Sequence, residues 1–204
     1  MHPIRQLIQH FEDQLEWPIE PADVQLWVTQ NGYCDEFIIH YVDCDARAFD
    51  GIYVHRQGNI QTRHAAVYGE PIIGREIFVN ARQPEDLKRV AEVKETLHIL
   101  DRCQQQTNTR AGVDDMISYA ATRLKLGNDN GALTDVMAVP QALAILFPWK
   151  MRELLKPKYE AGSISAEELA QTAKLPVAYV ELVLSDRWEH MYALLARVEN
   201  GFVE

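Results

Sequence analysis

The chain has 204 residues, 47% of them hydrophobic and 25% charged, with a formal net charge of −10. This is enough apolar material for one well-buried core, so the composition is that of a globular protein and not of a disordered one. No apolar run is long enough to cross a bilayer, and Met1-His2-Pro3-Ile4-Arg5-Gln6 lacks the basic-then-apolar order of a secretory signal, so the expectation is a cytoplasmic protein with no membrane partner.

Three cysteines, Cys34, Cys44 and Cys103, are an odd number without a C-x-x-C pair, which indicates reduced thiols. The negative balance argues against direct nucleic-acid binding, which needs clustered Lys and Arg to displace counterions. Residues 1 to 50 alone hold ten acids against Arg5 and Arg47, a net of −8. Such a surface keeps a protein soluble, and it also suits docking on a basic protein partner such as the DNA-binding face of a regulator.

In chain order, Ile4, Leu7, Ile8, Phe11 and Leu15 recur at helical spacing, and Trp17-Pro18 ends the pattern. The apolar face of this opening helix calls for a sheet to cover. Segments rich in β-branched and aromatic residues follow at Val24 to Thr29, Phe37 to Val42, Ile52 to His55, Thr62 to Tyr68 and Glu76 to Asn80. Turn signals such as Asn31-Gly32, Asp50-Gly51 and Gly69-Glu70-Pro71 punctuate them. After Asn80 helical spacing dominates. Strands first and helices afterwards predict an α+β fold with a small, mostly antiparallel sheet: an α+β domain over 1–150 with an acidic part at 1–50, then a helical C-terminal region over 151–204.

The helix that begins near Pro84 is well specified. Proline suits a first turn, Glu85 and Asp86 complement its positive end, and Leu87, Val90, Ala91 and Leu97 continue the apolar spacing. At about 100° per residue, Lys94, His98 and Asp101 fall on the stripe of Leu87, Val90 and Ala91, with Glu95 to one side. In an H-E-x-x-H zinc peptidase two histidines one turn apart bind the metal, and the intervening glutamate is the general base for its water. Here the run is Lys94-Glu95-Thr96-Leu97-His98. A protonated lysine offers three donors and no lone pair to a cation, so the usual zinc site does not form.

With the strand run Ile77-Phe78-Val79-Asn80 before this helix, and Ala138, Ala142, Leu143, Ile145, Leu146, Phe147 and Pro148 after it, the chain resembles the ImmA/IrrE-type metallopeptidase family over roughly residues 50 to 185. The resemblance implies a zincin-like fold, a setting in mobile elements or prophages, and a DNA-binding regulator as partner or substrate. Aligning Pro148 with the family proline puts the family's glutamate ligand at Met137, with Asp135 nearby. Two of three expected ligands are then missing, and the resemblance implies a non-peptidase that acts by protein binding without a cofactor. The alternative is a peptidase with an altered zinc or other divalent-metal site, using Glu95 as general base and His98 with Asp101 or with Asp114 and Asp115 as ligands.

For Lys94 the residues leave two readings: an ammonium in the old metal position paired with Glu95, Asp101 or Asp135, or a side chain that snorkels to solvent. Cys34, His40 and Cys44 lie on and around one predicted strand at intervals unlike those of a zinc knuckle, and His55 and His64 flank a predicted hairpin turn; all read as non-ligands. The segment Ile164 to Ser185 is similar to the family's helix-turn-helix, with a turn at Lys174-Leu175-Pro176. From Ser163 to His190 it carries two bases against five acids, which favours packing over DNA reading. Trp149 is expected to anchor the C-terminal helices.

Overall fold

The computed structural model describes residues 2–34, 37–45, 47, 49–55, 75–100 and 130–197, the side chains at 55 and 130–136 excepted. The fold is α+β, with a sheet of three strands among the described residues and a helical C-terminal region. The predicted strand Thr62 to Tyr68 lies outside the described residues.

Helix α1 (Pro3–Phe11) starts on a proline and buries Ile4, Leu7, Ile8 and Phe11, four of the five positions its periodicity marks. It ends there, so Leu15 is left 54% exposed. Its apolar face is covered by helices and not by the sheet: by α4 (Asn130–Leu146) and α8 (Asp186–Arg197).

Val24 to Thr29, expected as a strand, belongs to α2 (Pro21–Gln30). Local start signals override β propensity here. Pro21 occupies the first turn, and Asp23 reaches back to accept the Glu20 backbone N–H at 3.1 Å. Val24, Trp27 and Val28 then bury at i, i+3 and i+4, while the Thr29 hydroxyl donates to the carbonyls of Gln25 and Leu26 behind it.

Strands β1 (Phe37–Val42), β2 (Gly51–His55) and β3 (Arg75–Asn80) fall where expected, in the order β1-β3-β2. The described sheet is mixed: β3 pairs parallel with β1 and antiparallel with β2. In register, Gly51 faces Val79 and Tyr53 faces Ile77, so these four share one face by the two-residue period of a strand. Helix α3 (Glu85–Leu97) packs on β2 and β3, where Ile77 and Val79 are fully buried.

On its other side α3 meets α4, whose apolar residues run all round its last turns from Ala142 to Leu146. Then come α5 (Trp149–Glu160), α6 (Ala166–Ala173), α7 (Val177–Leu184) and α8. Ser165 and Glu168 form a reciprocal capping box at the start of α6, and Lys174 closes it in the left-handed region at φ 53°. Trp149 stacks on Tyr192 at 4.6 Å, and the Arg152 guanidinium lies 4.8 Å from the centre of its ring. One hydrophobic cluster runs from Ile4 through the sheet and α3 to Ala196. Among the described residues no helix is long and apolar enough to cross a membrane.

Candidate functional site

The C-terminal end of α3 carries the K-E-x-x-H run. The α-helix stops at Leu97, and His98 opens a 3-10 turn (His98–Leu100) whose first N–H is shared between the carbonyls of Glu95 and Thr96. Helical spacing places Glu95 beside the inward stripe, yet its side chain is the most buried of the three ionisable groups: 3% exposed, against 16% for both Lys94 and His98. The reason is β2, which comes down on Glu95 at a residue with no side chain. A Cβ on Gly51 would stand 2.7 Å from Glu95 Cγ and 3.1 Å from its Oε1. The glycine read in the sequence as turn punctuation is the floor that lets a carboxylate lie flat on the sheet.

That carboxylate is held from both sides. Lys94 Nζ lies 3.1 Å from Oε1, and His98 Nε2 lies 3.9 Å from Oε2. Of the two readings of Lys94, the geometry is that of the paired ammonium. The Tyr53 ring, two residues beyond Gly51 and so on the same face, stacks against His98 with centroids 6.3 Å apart. Thr96 is fully buried and donates its hydroxyl to the Glu92 carbonyl at 2.7 Å.

The strand end also serves the site. Asn80 is fully buried and donates through Nδ2 to the carbonyls of Asp45 and Phe49, at 2.9 and 3.0 Å, which fixes the approach to β2. Gln83 donates to Asp50 Oδ1 at 2.7 Å. From α7, Tyr179 enters the same field: burial pushes its phenol up, the nearby Asp50 charge adds to this, and the Lys94 charge opposes it.

The other expected site residues are distributed differently. Asp101, Asp114 and Asp115, and the side chain of Asp135, lie outside the described residues, as do Cys103, His64 and the side chain of His55. Met137 is half-buried and packs against the hydrophobic cluster. Cys34 is buried and Cys44 partly so, both as thiols, and His40 stands 3.6 Å from Glu76 and stacks on Phe78 instead of joining them.

Chemically, the run does not fit a zinc ion. Zinc takes lone pairs from three or four ligands, whereas position 94 presents an ammonium and the Glu95 oxygen next to it is engaged by that charge. Among the described residues no three His, Cys, Asp or Glu side chains converge in a way that could hold a metal.

No family model matches this chain, and neither the curated proteins nor the solved structures contain a match.

Proposed function

We propose that this protein is a catalytically degenerate, zincin-like relative of the ImmA/IrrE-type metallopeptidases that acts by binding a protein partner, a DNA-binding regulator in a prophage or other mobile element. The observation that carries this reading is the ammonium of Lys94 at 3.1 Å from Glu95. It occupies the sequence position of the first metal-binding histidine and takes up the carboxylate that would serve as general base. The acidic stretch at 1–50 and the net negative α6–α7 segment favour a basic protein surface over a nucleic acid as the partner.

The test is elemental mass spectrometry of untagged protein, wild type beside a Lys94→His variant. The expected result is a metal-free wild type and measurable zinc in the variant. Stoichiometric metal in the wild type would overturn the reading and restore a peptidase with an altered site, to be checked by loss of cleavage in Glu95→Gln.

A further inference from the structure

Two of the grooves in the described surface differ in their lining: one contains lysine and arginine and the other does not. The larger, about 740 Å3, runs between α2, α3 and the α6–α7 turn. It mixes charges: Glu20 pairs with both Arg89 and Lys174, while Glu85, Asp86, Glu92 and Glu167 also line it. The smaller, about 410 Å3, lies between the end of α1 and α2 and is walled by Phe11, Trp17, Leu26 and Trp27, with Glu16 and Asp23 at its rim. No lysine or arginine lines it. None stands anywhere from residue 6 to residue 46, a stretch holding nine acids.

This groove is also where apolar surface is left open. After Tyr41, Leu15 and Leu26 are the most exposed large hydrophobic side chains among the described residues, at 54% and 53%. Leu26 lines the groove, and Leu15 stands in the connection that forms its rim. Trp17 and Trp27 are held in place from behind: the Trp17 indole N–H donates to the Leu146 carbonyl at 3.1 Å, and Trp27 stacks on Tyr33 with centroids 5.6 Å apart. A rigid aromatic wall beside two carboxylates, with no lysine or arginine in the lining, recognises a side chain that is apolar along its stem and positive at its tip.

We infer that the α1–α2 groove is a docking site for a basic amphipathic segment of a partner protein, one that presents Leu-type side chains to Leu26 and the tryptophans and Arg or Lys to Glu16 and Asp23. This rests on the protein-binding reading above and names the surface and the chemistry of the partner. A second copy of the chain is a poor occupant, because the acids of two copies would oppose one another. An acidic segment is excluded by the same charges.

The experiment is amide and indole NMR mapping on the full chain with a short synthetic peptide carrying Leu and Arg at helical spacing. Two controls accompany it, one with Glu for Arg and one with Ser for Leu. The expected result is saturable shifts of the Trp27 indole and of the amides around Glu16 and Leu26 with the first peptide only, weakened by added salt. A folded Glu16→Lys, Leu26→Ser variant, altered at two exposed positions, should bind about ten-fold more weakly. Shifts confined to the larger groove or to the Lys94 end of α3, binding unchanged in the variant, equal response to the controls, or no shifts at all would each overturn the assignment. Metal content, measured separately, decides the degenerate-peptidase reading, so the two can fail independently: a metal-loaded chain that still binds the peptide here loses that reading and keeps the groove.

Discussion

Helix α3 carries charge at both ends and on opposite sides, and the two ends treat it differently. At its C-terminal end a single carboxylate, Glu95, is buried under a glycine of β2 and faces one ammonium at 3.1 Å. Along its first turns Glu85, Asp86, Arg89 and Glu92 line an open groove, where the half-exposed Glu20 meets two cations, the buried Arg89 and the exposed Lys174. In the first arrangement the carboxylate is nearly cut off from water, which cannot replace the Lys94 ammonium if that charge is removed. The second is redundant, because solvent and a second cation stand by.

The sharpest way to break this contrast is to remove one member of the buried pair. Lys94→Met keeps the length of the side chain and deletes the charge, taking from Glu95 the cation that lies 3.1 Å from its Oε1. Breaking a buried pair in this way costs about 3–5 kcal/mol, to be read from urea unfolding. Adding Glu95→Gln to the same chain should return most of that loss, because the stranded charge goes with it. A cost for Lys94→Met below about 1 kcal/mol would mean that the pair behaves as a surface one, and the contrast would be gone.

A smaller effect is expected at Glu92, which lines the groove and is half-buried. Burial pushes its carboxyl above the usual value of 4.5, while the Tyr41 hydroxyl, donating to its Oε1 at 2.6 Å, and the nearby Arg89 and Lys88 charges pull it down. Tyr41 is itself pushed up to about 12, first by burial and then by this carboxylate. With the folded value raised, the native state holds a proton that the unfolded chain has lost, so the stability contributed by Glu92 rises as pH falls through its folded value toward 4.5. Glu92→Gln keeps an acceptor for Tyr41 and has no charge to desolvate. Its melting temperature should exceed that of the wild type at pH 7, and the advantage should fade as pH is lowered through that window. Glu20 has the opposite sign. The Lys174 hydrogen bond, with smaller help from Arg89, holds it below its ordinary value against the opposing effect of burial, so what it contributes is present above 4.5 and lost as pH falls further.

How much of this was legible in the sequence depends on the range of the forces involved. The α1 face, the start of α3 and the two-helix turn around Lys174 follow from local periodicity and capping, and each stands where the residues place it. Val24 to Thr29 misled because composition was weighed above position: Pro21 and Asp23 dictate a helix start that β-branched residues merely tolerate. Lys94, Glu95 and His98 were found by motif, but their ranking by depth was not, since helical projection cannot anticipate that a strand arrives with a glycine. Gly51 and Tyr53 join the site from a strand distant in the sequence, and only the fold brings them to Glu95 and His98.

The smallest expected effect lies at the redundant end and sets two terms against each other. Lys174 donates to Glu20 at 2.8 Å, but their side chains are 53% and 44% exposed, so the pair is worth at most about 1 kcal/mol. The same residue holds φ 53°, a left-handed cap that costs an L side chain about 1 kcal/mol and glycine almost nothing. Lys174→Ala loses the pair and keeps the backbone cost, so it should melt below the wild type. Lys174→Gly loses the pair and relieves the backbone, so it should come within about 1 kcal/mol of the wild type and above the alanine variant. That order inverts the helix propensities of the two residues. If alanine proved the more stable, the left-handed cap would not be limiting, and the lysine would have to be there for its charge alone; if both variants fell by several kcal/mol, Glu20 would be as dependent on one cation as Glu95 is, and the two ends of α3 would not differ in kind.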